Sequence, residues 1–187
     1  MRYVAAFIIL SACSACNPFY SVEQSDVERG YRWIRRGDYK HAIATFQHTI
    51  SNYPNSSLAH VGLADAFAGA GRELNAVEMY TKALPLLKAD GHTVPDKTTG
   101  GEQTIGARFF SYQNQGLRFP YGVEAYVHFR RGLAYEALLK KNPGRLSEYR
   151  AAANVDYTSA LSLAPAWPDP RLRLECLADS QPENCKK

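Results

Sequence analysis

The apolar and small residues of this chain form two blocks that superpose after a shift of 34 residues. Setting "RRGDYKHAIATFQHTI" (35–50) beside "GAGRELNAVEMYTKAL" (69–84) pairs Gly37 with Gly71 and Ala42 with Ala76. It also pairs Ile43 with Val77, Phe46 with Tyr80 and Ile50 with Leu84. Each block reads as the turn and second helix of a helix–turn–helix unit. Small residues let two helices approach closely, and aromatics fill the gap one turn further on. The glycine supplies the left-handed backbone that ends the first helix. Helix starts are marked by Ser25-Asp26-Val27-Glu28, which has capping-box form, and by Asn55-Ser56-Ser57 after Pro54.

A third unit is stretched. "HFRRGLAYEALL" (128–139) has Gly132 and Tyr135 where the first unit has Gly30 and Trp33. "AAANVDYTSALSLAP" (151–165) supplies Ala153, Tyr157, Ala160 and a closing Pro165. The intervening "KKNPGRLSEYR" predicts that both helices extend around a turn at Asn142-Pro143-Gly144. A short last helix, begun by Asp169-Pro170 and running to Ala178, is expected to cap the array.

The 34-residue period, with small, aromatic and aliphatic residues in this order, resembles the tetratricopeptide repeat. The resemblance covers 25–54, 55–86 and 124–165. It implies an all-α solenoid over 25–179. It also implies a concave face, lined by the first helix of each unit, on which peptides dock. Carried onto this chain, that face takes Tyr31, Ile34 and Arg35 from the first unit and Val61, Asp65 and Ala68 from the second. Phe129, Leu133 and Glu136 come from the third. The carboxylate-clamp version of the family uses paired Lys, Arg and Asn residues. Here only Arg35 is basic, so an apolar segment is the more natural ligand. For Val61 and Leu133, packing against neighbouring helices is an equal alternative.

Residues 88–121 do not fit the repeat. Five glycines and two prolines punctuate them, with a sixth glycine at 122, and a loop of this length is usually functional or disordered. Its second half holds Phe109, Phe110, Tyr112, Phe119 and Tyr121. At least two of these rings are expected to fold back and become buried. Two roles remain open: sealing the groove between the second and third units, or presenting a surface to a partner. The spacing of Ile105, Gly106 and Phe109 also allows a degenerate fourth repeat.

The start of the chain adds a location. "MRYVAAFIILSAC" has a charged first segment, a short apolar run and small residues before Cys13, the layout of an export signal over 1–12. Leu10-Ser11-Ala12-Cys13 resembles the bacterial lipobox, which implies lipid on Cys13, with Cys16 as the alternative site. Ser14 beside it is not the aspartate that retains lipoproteins in the inner membrane, so the resemblance implies the outer membrane. Residues 13–24 would link the anchor to the repeat, and 180–187 form a tail. In an oxidising compartment Cys176 and Cys185 are expected to pair. A metal site at these cysteines would need further ligands nearby, and the sequence has none there.

Composition narrows the function classes. A net charge of +4 without a dense basic run does not point to nucleic acid. An apolar content of 45% and a charged content of 21% are those of a globular chain. The histidines at 41, 48, 60, 92 and 128 are dispersed and read as exposed polar residues. Carboxylates such as Glu124 and Glu136 read as solvated helix faces. No cofactor, metal site or catalytic set is expected, so the chain reads as a non-enzyme. The first functional reading is a lipid-anchored envelope adaptor that binds a protein partner and serves a secretion, pilus or outer-membrane assembly. The second is a ligand-binding protein or small enzyme whose aromatic insertion, with Arg108, Asn114 and Arg118, stacks on a sugar or peptidoglycan fragment.

Overall fold

A computed structural model describes residues 22–89, 103–105, 117–119 and 121–178. Seven α-helices follow one another: α1 (Val22–Arg35), α2 (Tyr39–Asn52), α3 (Ser57–Gly69), α4 (Glu73–Ala89), α5 (Val123–Lys141), α6 (Leu146–Leu163) and α7 (Pro168–Ala178). The first six form three antiparallel pairs, and α7 packs on α6. The turns between paired helices are built as the repeat requires. Gly37 and Gly71, 34 residues apart, both hold positive φ, at 72° and 70°. A side chain is strained in that region, whereas glycine adopts it freely. Asp38 caps α2 by accepting from the His41 N–H at 3.1 Å, and Ser56 caps α3 by accepting from the Ala59 N–H at 3.3 Å.

Close approach of backbone to ring fixes the pairing. A Cβ on Gly30 or Gly62 would collide with the Phe46 ring, and one on Gly132 would stand 2.5 Å from Tyr157. Phe46, Tyr80 and Tyr157 occupy equivalent places in the three units, and all three are fully buried. The most apolar helix, α3, is buried along nearly its whole length because α2 and α4 flank it and α1 and α5 also touch it.

Several expectations change. Helix α1 begins at Val22, so the Ser25–Glu28 box lies inside the helix and does not start it. The third unit does extend around Asn142, with a 3-10 turn at Pro143–Arg145. Between α4 and α5 lies a two-stranded antiparallel ladder, β1 (Gln103–Ile105) and β2 (Leu117–Phe119), in which Thr104 faces Arg118. Ile105 therefore sits on a strand, where a fourth repeat would have needed it on a helix. The two strands are the one departure from a purely helical chain among the described residues. Phe109, Phe110 and Tyr112, together with Arg108 and Asn114, lie outside the described residues, as do Cys13, Cys16 and Cys185.

Candidate interaction surface

The first helices of the three units, α1, α3 and α5, line one face. Their side chains there are largely committed to one another. Asp65, on α3, is 3% exposed and collects donors from three other helices. Tyr80 of α4 donates to Oδ1 at 2.6 Å, and Tyr31 of α1 donates to Oδ2 at 3.2 Å. Tyr126 of α5 reaches both oxygens, at 3.1 and 3.0 Å, and Arg130 Nε donates to Oδ1 at 3.1 Å. A buried carboxylate is tolerable only when paired in this way. Burial, reinforced by the Asp65 charge, pushes the Tyr31, Tyr80 and Tyr126 phenols well above their usual value. They remain donors throughout the physiological range.

This arrangement redefines the predicted positions. Asp65 is a structural node, because its oxygens are saturated within the fold. Val61 is fully buried, so packing accounts for it. Tyr31, Ile34 and Ala68 are half-buried, and Arg35 is exposed. Phe129, Leu133 and Glu136 are half-buried on α5. Glu136 accepts from the Tyr157 hydroxyl at 2.6 Å and from Arg173 at 3.5 Å, so it is not a free surface charge. Arg130 is a second basic residue on this face that the sequence pattern did not single out. Its guanidinium is held by Asp65 and stacks near the Tyr126 ring.

A matching node lies between α5 and α6. Asp156, 1% exposed, accepts from His128 Nδ1 at 2.9 Å and from Arg131 at 2.7 and 2.8 Å. His128 is therefore not an exposed polar residue. Nor is His60, which is 7% exposed and hydrogen-bonds the Ser56 carbonyl. Glu124 is also largely covered, with a side-chain exposure of 15%. His41 and His48 are exposed as expected.

The insertion meets this face through Phe119. Its ring is 3% exposed, belongs to the main core and meets Tyr126 edge-on with centroids 5.2 Å apart. Tyr121 is half-buried and stacks on Trp167, which immediately precedes α7, at 5.2 Å. Its φ of 60° is unusual for a residue with a side chain, and the stacking contact helps hold it there. Of the two roles open to the insertion's aromatics, Phe119 takes the sealing one. Val27, Val61 and Phe119 all lie in one buried cluster, so the groove is filled from within at this level. Among the described residues, no three His, Cys, Asp or Glu side chains converge as a metal would need. Among the same residues, no helix is long and apolar enough to cross a membrane.

No family model matches the chain, and no curated protein matches it. Solved structures do. The first repeat domain of Spaghetti (RPAP3), bound to the HSP90 peptide SRMEEVD, is 17% identical with a TM-score of 0.57. That match covers 83% of this chain and 90% of the other. The OM64 TPR domain of Arabidopsis is 16% identical with a TM-score of 0.58, covering 85% and 96%. The N-terminal domain of C. elegans STI-1 is 13% identical with a TM-score of 0.56, covering 86% and 100%. Identities this low speak to the fold alone. With the 34-residue period, the paired helices and the positive-φ turn glycines, they show that the chain has the tetratricopeptide-repeat fold.

Proposed function

We propose that the protein is an interaction scaffold, held at a bacterial envelope by lipid on Cys13, that binds a protein partner across the repeat face and its insertion. The observation that carries this reading is the continuity between the two. Phe119 from the insertion seats against Tyr126, one turn from Phe129 and two from Leu133 on the same face of α5. Half-open Ile34 and exposed Arg35 continue that face at the other end. Solved domains of this fold have been seen with peptides bound, among them an HSP90 peptide and an HSP70 peptide. In this chain Asp65, Arg130 and Glu136 on the repeat face are neutralised internally, and Arg35 is the exposed charge there. A partner would therefore be read by apolar and shape contacts more than by a carboxylate clamp. Assembly of a secretion, pilus or outer-membrane complex is the role that such an anchored scaffold would serve.

A photocrosslinker placed at Ile34 or at Leu133 in native envelopes should capture one same protein from both positions. Capture of nothing, or of unrelated proteins from the two positions, would remove the reading. The anchor is tested separately, because Cys13→Ser should abolish palmitate incorporation and release the protein from the membrane fraction. In an oxidising compartment Cys176 would pair with Cys185, and reduction should cost about 2–3 kcal/mol. The glycan-binding alternative is less well supported, because Phe119 is spent on the core and Tyr121 on Trp167.

A further inference from the structure

Among the described residues, helix α1 packs on α2 and α3 and presents its other side to no further element. Along its outer side run Val22, Ser25, Arg29 and Arg32, spaced three and four apart and so on one stripe, and Arg36 follows in the turn just past the helix end. Val22 is 68% exposed, and Arg32 and Arg36 are exposed. Trp33 flanks the stripe, half-buried, with the Arg36 guanidinium 5.3 Å from its ring centroid. Arg35 extends the basic surface toward the repeat face. Of the three acids of the same helix, Asp26 and Glu28 are buried and Glu23, in its first turn, is half-buried; Asp26 accepts from Arg29 at 2.7 Å. Among the described residues Arg32, Arg35 and Arg36 have no carboxylate partner, whereas Arg130 and Arg131 on α5 are bound to buried ones.

We infer that this outer face of α1 lies on an anionic phospholipid surface. Exposed cations beside an apolar residue and an indole suit the headgroup layer, where arginines meet phosphates and a tryptophan ring sits at the interface. Position in the chain supports the same occupant. Eight residues lie between Cys13 and Val22, and the nine steps reach about 30 Å at full extension. A lipid on Cys13 would therefore keep the stripe beside the bilayer, and contact would set the orientation of the whole array. The inference rests on the anchor reading for its proximity, but its chemistry is read from α1 alone.

The test uses residues 13–187 carrying Cys13→Ser and Cys16→Ser, so that no acyl chain contributes. The protein should sediment with vesicles of phosphatidylethanolamine and phosphatidylglycerol, and not with phosphatidylcholine vesicles. Binding should weaken steeply with added salt. Arg32→Gln with Arg36→Gln should lower the partition at least tenfold, since each basic residue near such a surface is worth about fivefold. Arg150→Gln with Arg171→Gln removes the same charge from α6 and α7 and should leave the partition unchanged. Brominated phospholipid in the anionic vesicles should quench half-buried Trp33 in a Trp167→Phe background. Equal sedimentation with both vesicle types, equal loss in the two double variants, or an unquenched Trp33 would overturn the inference. An acidic protein as the true occupant would show as the first or third of these. Failure of palmitate labelling in the unsubstituted protein, with vesicle binding retained, would remove the anchor and leave the α1 face standing.

Discussion

Asp65 gathers four donors from three helices, and its removal would strand all of them. Asp65→Ala leaves the Arg130 guanidinium without its carboxylate and three phenols without an acceptor. Loss of one partner of a buried pair costs about 3–5 kcal/mol, and partial exposure of Arg130 places the effect near the lower end. Chemical denaturation would measure it, and a loss below about 1 kcal/mol would show the node to be dispensable. The tyrosines give this node and its neighbour a signature in alkali. Tyr31, Tyr80, Tyr126 and Tyr157 all have phenols raised by burial first and then by an adjacent carboxylate. Below about pH 10 they are protonated in folded and unfolded chains alike, so stability does not change through them. Above it only the unfolded chain ionises, so stability should fall as pH rises, by up to about 1.4 kcal/mol per pH unit for each tyrosine. Phenolate absorbance should accordingly appear for these four only as the chain unfolds. At this scale the sequence was informative about small-against-large pairs such as Gly132 with Tyr157, because both lie at repeat positions. It put Asp65 on the partner face and gave no sign of its donors, which stand 15 to 65 residues away. The one visible hint was an acid in the middle of the apolar "LAHVGLADAFAG".

Helices and turns were legible because each carries its own signal: a period, a turn glycine, a capping Ser or Asp. The strands were not, because three-residue ladders have no periodicity to read and rest on pairing between residues 12 to 16 apart. Phe119 is the element's main attachment that the described residues show. Truncating a fully packed phenylalanine costs about 3–5 kcal/mol where the site cannot collapse. Phe119→Ala should therefore lower stability by a few kcal/mol. It should also speed proteolysis between residues 90 and 116 more than cleavage within α1–α4. Unchanged digestion would mean that β2 is held by something other than this ring. The same packing logic applies to helix pairs. Gly132→Ala drives a Cβ into the Tyr157 ring, and overpacking of this kind costs about 1–3 kcal/mol. Adding Tyr157→Leu should recover part of that loss, which a double-mutant cycle would read as coupling between α5 and α6.

Across the whole molecule, helix α4 packs on α5 although residues 90–122 separate them in the chain. The far end of this seam is fastened by Lys141. Its ammonium donates to both Glu73 oxygens, at 2.8 and 2.7 Å, and to the Gly71 carbonyl at 3.1 Å. The turn of the second unit is thereby tied to the end of the third unit's first helix. Closing a long segment in place of a short turn costs little, about 0.6 kcal/mol for each doubling of its length. Burial of one aromatic ring, worth about 1.5–3 kcal/mol, offsets most of that. Covalent continuity across 90–102 is then nearly irrelevant to the fold. The chain behaves as two complementary halves that happen to be joined, and residues 13–95 and 96–187, produced as separate polypeptides, should find each other and reassemble one solenoid.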